Sequence, residues 1–289
     1  MLRLALGTAQ FGLAYGVANT NGQVSQDSAK EIIEYCKFIG LDTLDTAVAY
    51  GESEQCLGGV GVKGFNVITK LPPIPEGCVD IENWIIEEVN ASVTRIDCTS
   101  LYGLMLHRPE QLLGLHGQEI MSALRSLKNL GMVQKIGVSV YSPDEFPALF
   151  SEYDFDIIQC PFNLIDRRLV SSGWLEKLKL LGVEVHTRSS FLQGLLLMPR
   201  DKIPNEFEAW GYLWDRWNKW LDKHEVTPIQ ACMAYALSDS RIDRVIVGVD
   251  NQTHLKQIIS SLEFPSMKKF PDISSLDNNL INPSNWNTL

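Results

Sequence analysis

Four residues of this chain have the side chains and the placement for proton chemistry: Asp45, Tyr50, Lys70 and His107. Each stands where a short apolar run gives out. Asp45 closes Leu41-Asp42-Thr43-Leu44, and Tyr50 follows in the same stretch. Lys70 ends Asn66-Val67-Ile68-Thr69, and His107 ends the run from Leu101 to Leu106. A phenol, an ammonium, an imidazole and a carboxylate gathered in one place can move a proton at neutral pH. A free tyrosine titrates near pH ~10 and is a weak acid at neutrality. A nearby lysine cation favours the phenolate and lowers that value. A carboxylate paired with the lysine holds it in place, and a histidine beside the phenol orients and polarises a carbonyl. The expected chemistry is therefore proton-coupled change at a carbonyl. Taken singly, each residue has an ordinary alternative: a tyrosine after a strand packs, and an aspartate at a strand end caps a helix. It is the spacing on successive strand ends that makes the set specific.

Such a set needs a scaffold that brings strand ends together. Strand-like runs recur at 4–7, 42–46, 66–70, 101–107, 135–140, 156–160, 183–187 and 244–248. Helical patterns lie between them. Residues 27–36 form one, with Ser25 or Asp27 as its cap. Ile81–Ile96 carries Ile81, Ile85, Val89 and Val93 on one stripe, and 111–130 and 254–262 read similarly. Eight strand signals in strict alternation predict an α/β protein, a single-domain (β/α)8 TIM barrel whose working face is the C-terminal ends of its strands. A doubly wound sheet would more often carry G-x-G-x-x-G after its first strand. Here that turn reads Gly7-Thr8-Ala9-Gln10-Phe11-Gly12. The barrel is expected over residues 1–262. Beyond Leu262, Pro265, Pro271, Pro283, several Ser and Asn and a late Trp286 mark 263–289 as an irregular extension that packs on the barrel or lies over its mouth.

With 45% hydrophobic residues in 289, the chain can fill a sizeable core. Its net charge of −10 and the absence of long basic runs argue against a nucleic-acid partner. An anionic cofactor remains open, because backbone N–H groups hold phosphate. Cys36, Cys56, Cys78, Cys98, Cys160 and Cys232 are scattered without a CxxC pair, so free thiols and no metal site are expected. No His-x-His pair follows the first strand, which disfavours a metal-dependent hydrolase. The N-terminal residues enter a strand at once, and no apolar run is long enough to span a membrane. No membrane partner and a cytoplasmic location are expected. Trp210, Trp214, Trp217 and Trp220 have helical spacing and read as a packing face rather than a sugar platform. His224 and His254 read as surface residues, and His116 and His186 lack metal-ligand spacing.

The order of motifs resembles the aldo-keto reductase family over nearly the whole chain. Asp45-Thr46-Ala47-x-x-Tyr50-Gly51, followed by Ser53-Glu54-x-x-Leu57-Gly58, is similar to the family's signature after its second strand. Ile68-Thr69-Lys70 resembles its lysine strand and Leu106-His107-Arg108-Pro109 its histidine strand. Gly131-x-Val133-x-Lys135-Ile136-Gly137-Val138-Ser139 and Gln159-Cys160-Pro161-Phe162-Asn163 resemble the next two, whose Ser and Gln meet the nicotinamide. The Gly-Thr-Ala-Gln-Phe-Gly opening, with Arg188-Ser189-x-Phe191-Leu192-Gln193-Gly194-Leu195-Leu196, is similar to a bacterial branch of the family, some members of which sit in surface-polysaccharide pathways. The resemblance implies reduction of an aldehyde or ketone, sugar-like or phosphorylated, with NADPH or, as an alternative, NADH. It implies Tyr50 as proton donor, Lys70 and Asp45 as its tuning pair and His107 as substrate orienter. The cofactor residues it implies are Gly7, Thr8, Asp45, Ser139 and Gln159; then Arg188, Ser189, Phe191, Gln193 and Gly194; then Gly248, Asp250, Gln252 and Gln257. Phe11, Tyr15, Tyr141 and Phe162 are the expected substrate contacts, from loops after the strands.

Several positions depart from the family pattern. Val140 follows Ser139 where the family usually has Asn. Arg188 stands where an aromatic residue usually stacks on the nicotinamide; its guanidinium can stack there, reach a substrate carboxylate or phosphate, or pair with a nearby acid. After the eighth strand, Gly248-Val249-Asp250-Asn251-Gln252-Thr253-His254 has no basic residue before Lys256, although NADPH-preferring members commonly place one there. Asp250 can repel a 2′-phosphate or accept from a ribose hydroxyl. Gln257 and Ile258 replace an acid and an Asn that often meet the adenine. The stretch before the first strand leaves little room for the β-hairpin that plugs the barrel bottom in many relatives. Two other readings share the fold: a nucleotide-sensing binding protein, and a lyase or isomerase that retains its NAD(P) through turnover.

Overall fold

The computed structural model describes residues 2–264, 267 and 269–288; Pro265, one of the residues that marked the extension, lies outside the described residues. Eight strands are present: β1 Leu4–Gly7, β2 Thr43–Asp45, β3 Asn66–Leu71, β4 Leu101–Leu106, β5 Val133–Ser139, β6 Ile157–Pro161, β7 Glu184–Arg188 and β8 Arg244–Gly248. Neighbours pair in parallel in chain order, and β8 returns to β1 to close the barrel. This is the (β/α)8 architecture expected from the alternation. Strand bounds shift by a residue or two. The β4 ladder ends at Leu106, and His107 sits just past it, its N–H donating to Leu71 O at 3.1 Å.

Side-chain alternation along each strand separates two apolar regions. Leu4, Leu6, Leu44, Leu104, Ile158, Val185 and Val245 join the helices in the large outer core. Ile68, Met105 and Ile157 form a small inner cluster on the face that Lys70 shares with Ile68. The register sets the chemistry at one level: Gly7 lies opposite both Asp45 and Gly248, and Ser139 lies opposite Gln159.

Local rules fix several helix ends. Gln26–Ile39 starts after Ser25, whose Oγ accepts from Ser28 N, and stops at Gly40 with φ 71°. Ile81–Ile96 is capped by Asp80 and buries Ile81, Ile85 and Val89. One expectation fails. Residues 111–130 are not a single helix; a 3-10 turn over Pro109–Leu113 is followed by a break and then a helix over Gly117–Asn129. Gly114 and Gly117 flank the break, and glycine weakens a helix interior. The bend lets Gly117 approach Leu112 so closely that an added Cβ would meet its carbonyl oxygen at 1.8 Å.

The C-terminal segment packs on the barrel's helices. Ile273, Leu280 and Ile281 are buried. Arg167 Nη2 donates to Pro271 O at 2.5 Å, and Trp210 Nε1 to Asp277 Oδ2 at 3.0 Å. Trp286 meets the Phe207 ring edge-on at 4.8 Å. Trp214 and Trp217 are buried along the helix Gly211–His224, as the packing-face reading expects. The six cysteines are free, and no helix among the described residues is long and apolar enough to cross a membrane. Among the described residues no group of His, Cys, Asp and Glu is arranged to hold a metal ion.

Candidate active site

The C-terminal ends of the strands surround a cleft of about 670 Å3, within the ordinary size of a small-molecule site. At its floor the structure brings together Asp45, Tyr50, Lys70 and His107. Lys70 Nζ donates to Asp45 Oδ2 at 2.7 Å and to Thr46 O at 2.9 Å. Gln159 Nε2 donates to Asp45 Oδ1 at 2.7 Å, so both carboxylate oxygens are engaged. Ser139 Oγ donates in turn to Gln159 Oε1 at 3.3 Å. The Lys70 ammonium lies 5.1 Å from the centroid of the Tyr50 ring. The Tyr50 and His107 rings meet edge-on at 5.9 Å. Asp45, Tyr50 and His107 line the cleft, whereas Lys70 is fully buried beneath it.

A polar knot holds these strand ends in register. Ser53 Oγ donates to Thr8 O at 2.8 Å and shares hydrogen bonds with the hydroxyls of Thr8 and Thr46. Glu54, buried, accepts from Thr69 Oγ1 at 2.6 Å and Arg95 Nε at 2.7 Å. The Ser53-Glu54 pair of the sequence motif therefore supports the site without reaching into it. Glycine is needed where the first loop crosses the tyrosine turn. A Cβ on Gly12 would sit 1.8 Å from Tyr50 O, and one on Gly51, at φ 56°, would sit 2.5 Å from Gly12 O.

The surroundings tune each group. Burial pushes the Tyr50 phenol well above its usual range; the Asp45 charge adds to this and Arg188 opposes it. The sequence suggests a net lowering by Lys70, but desolvation outweighs it and Tyr50 rests as a neutral phenol. Burial pulls Lys70 below an ordinary lysine, while Asp45 pulls it back up. Burial, with the cations Lys70, Arg188 and Arg108, brings His107 down to about 3. His107 is therefore a neutral imidazole at physiological pH.

Most of the other expected residues also face the cleft. Gly7, Thr8, Ser139, Gln159, Arg188, Ser189, Phe191, Gln193, Gly194, Gly248, Asp250 and Gln257 line it, as do Tyr15 and Tyr141. Three do not. Phe11 is fully buried: the short helix Ala9–Gly12 turns its ring into the outer core. Phe162 is also buried and stacks on Tyr235 at 4.9 Å. The Gln252 side chain bonds Glu31 O and Lys256 outside the cleft. The cleft also includes residues absent from the sequence expectation: Ser190, Ile229, Pro283, Ser284 and His254, the last at the rim with 44% of its side chain exposed. Ser190 Oγ is buried in the wall with no hydrogen-bond partner among the described residues. Its position inside the Arg188–Gly194 motif was the one available signal.

The wall after β7 carries unusual backbone. Ser189, Leu192 and Gln193 have φ of 63°, 48° and 52°, and Gly194 follows at 92°. The other described non-glycine residues with positive φ, Asp97 and Glu225, merely end helices. Left-handed non-glycine backbone costs about 1–2 kcal/mol per residue and clusters where ligands bind. Glycines keep the neighbouring wall, at the ends of β1 and β8, thin: a Cβ on Gly7 would meet Ile246 at 2.9 Å, and one on Gly248 would meet Gln10 at 2.7 Å. An unpartnered hydroxyl, a thin glycine wall and a cleft of about 670 Å3 fit a dinucleotide.

The model of the aldo/keto reductase family matches residues 3–277. The chain belongs to this family. Aldo-keto reductase YhdN of Bacillus subtilis is 25% identical over an alignment of 182 residues that covers 59% of this chain and 53% of that protein, about half of its length. The uncharacterized oxidoreductase YqkF of the same organism is 24% identical over 284 residues, 90% of this chain and 91% of that protein. Among solved structures, aldo-keto reductase AKR11C1 of Bacillus halodurans, in its holo form, superposes with a TM-score of 0.73 at 19% identity, covering 92% of this chain and 88% of that one. These likenesses agree with the barrel seen here.

Within this aldo-keto reductase, the positions that depart from the family pattern have clear surroundings. Val140 contributes only backbone, its carbonyl accepting from Arg188 Nη2 at 3.1 Å. Arg188 Nη1 donates to Ser189 Oγ at 3.3 Å, and its guanidinium lies over the Tyr141 ring at 4.8 Å. No carboxylate pairs with Arg188 among the described residues, so the acid-paired alternative is not what the fold builds. Asp250 stands 3.7 Å from His254 Nδ1. Burial raises the Asp250 carboxyl, and the His254 charge pulls it part of the way back.

Proposed function

We propose that this aldo-keto reductase reduces a sugar-like aldehyde or ketone to the alcohol with NADPH, Tyr50 giving the proton. The observation that carries the reading is the bonded set of Lys70, Asp45 and Gln159 directly beneath Tyr50, with His107 at its edge. When bound, NADPH supplies the hydride to the carbonyl carbon. Neutral His107 donates an N–H to the carbonyl oxygen and fixes its position. The phenol keeps its proton in the resting site and gives it from Oη once that oxygen carries developing negative charge. The Lys70 ammonium then stabilises the phenolate, and Asp45 holds Lys70 under the ring. One C–H and one O–H bond form, and Tyr50 regains its proton from solvent.

NADH is a second reading, favoured by one observation. The acid Asp250, rather than a base, follows β8 in the cleft and is suited to accept from a ribose hydroxyl. Fluorescence titration with both dinucleotides decides between them. Saturable binding of NADPH tighter than NADH supports the first reading, and the reverse order replaces it. In Tyr50→Phe, kcat/KM for carbonyl reduction should fall ~10²–10⁴-fold, the usual share of a general acid, with dinucleotide binding retained. Near-normal turnover by that variant would remove Tyr50 from the mechanism.

A further inference from the structure

The charged groups of the cleft do not balance at its catalytic end. Lys70 is neutralised by Asp45, and Asp250 faces His254. Arg188 is the exception. A guanidinium has five N–H donors; one bonds Val140 O and one bonds Ser189 Oγ, which leaves three without an acceptor among the described residues. Glu145, the nearby acid, feels the Arg188 charge but forms no ion pair with it; its Oε1 accepts from Tyr141 N and Ser142 N at 2.7 and 2.8 Å. The Arg188 charge still reaches the reacting groups: it opposes the rise of the Tyr15 and Tyr50 phenols and helps deprotonate His107. The Tyr141 ring holds the guanidinium plane in place. The chain as a whole carries −10, so attraction of an anion to this end depends on the local cation.

We propose that Arg188 is the receptor for an anionic group on the substrate, so that the preferred substrate is a carbonyl compound bearing a carboxylate or a phosphate. The inference rests on the reductase reading and deepens it. Arginine's planar fork suits both anions, and bonds to an ionised partner are about twice as strong as neutral ones. The anion sits at Arg188 while the carbonyl oxygen lies between Tyr50 and His107. Loss of such a charge-assisted contact corresponds to roughly 10- to 100-fold in kcat/KM.

The test compares two pairs of aldehydes: succinic semialdehyde against butanal, and glyceraldehyde 3-phosphate against glyceraldehyde. The unaltered chain should prefer the charged member of at least one pair by tenfold or more, and the preferred pair tells carboxylate from phosphate. In Arg188→Met the charged-to-neutral ratio should collapse, and Arg188→Lys should restore part of it. An unaltered chain without preference, a ratio that survives in Arg188→Met, or a loss explained by weaker dinucleotide binding would each overturn the proposal. If no aldehyde is reduced, the reductase reading itself fails. Thermal shift with succinate and with inorganic phosphate, on dinucleotide-loaded protein, then judges Arg188 alone. Stabilisation of the unaltered chain that is lost in Arg188→Met upholds the anion site, and an equal response of the two proteins overturns it.

Discussion

His107 shows how a single residue can be fixed in one protonation state by its neighbours. Partly buried beside Lys70, Arg188 and Arg108, it titrates at about 3 in the folded chain, against ~6.5 when unfolded. Between those values the unfolded chain binds a proton that the folded chain does not. His107 therefore adds no penalty above pH ~6.5, and stability falls as pH drops through that window. In His107→Asn, urea midpoints measured from about pH 6.5 down to 4 should decline less steeply than in the unaltered chain. An unchanged slope would mean that other groups set the acid limb. The types and spacing of Asp45, Tyr50, Lys70 and His107 were legible in the sequence because each follows an apolar strand. Phe11 and Phe162 were not. Whether an aromatic residue beyond a strand turns toward the cleft or the core depends on contacts that only the closed barrel creates. The same holds for the net rise of the Tyr50 phenol, which is set by burial.

At the scale of elements, the strands carry a second polar assembly at the end opposite the cleft. Glu184, first in β7, accepts from Tyr102 Oη of β4 at 2.7 Å and pairs with His186 Nε2 at 2.6 Å and with Lys135 of β5. The Lys135 ammonium lies 5.0 Å from the Tyr102 ring. This network ties three strands next to the inner cluster of Ile68, Met105 and Ile157. Burial alone would raise the Glu184 carboxyl, but the bonds from His186 and Lys135 outweigh it and hold it well below the carboxylate range. A lowered folded value means that this stability is present above the unfolded value of ~4.3 and is lost as pH falls below it. Glu184→Gln should cost about 2–3 kcal/mol in urea unfolding at pH 7, less than for a fully buried pair because these side chains are partly exposed. The charged-to-neutral aldehyde ratio should stay the same, since the cleft lies at the other strand ends; a cost under about 0.5 kcal/mol would reduce the network to a surface ion pair. Periodicity located all eight strands. It missed the break near Gly114, where close packing at Gly117 decides, and the left-handed backbone of Ser189, Leu192 and Gln193, which has no local residue signal.

Across the whole molecule, the strict alternation of strand and helix signals leaves one simple closed arrangement, which is why the barrel was readable from end to end while its C-terminal segment was readable only as irregular. That segment has no period to follow; its course is set by single contacts. Ser275 N donates to Ile165 O at 2.9 Å, Leu280 and Ile281 are buried, and Trp286 lies against Phe207 with its N–H on Leu280 O at 3.2 Å. Between these anchors Pro283 and Ser284 reach the rim of the cleft. The segment thus links packing on the outer helices to the shape of the ligand site. Trp286→Ala removes the last anchor. A fully buried Trp would cost about 3–5 kcal/mol, and this one is only partly buried, so about 1–3 kcal/mol is expected, near 2 °C in Tm for each kcal/mol in a chain of this size. If the segment shapes the cleft, KM for the dinucleotide or the carbonyl substrate should rise severalfold while kcat changes less, because binding is loosened and the bonded set beneath Tyr50 is untouched. A lower Tm with both constants unchanged would mean that Pro283 and Ser284 border the cleft without shaping it.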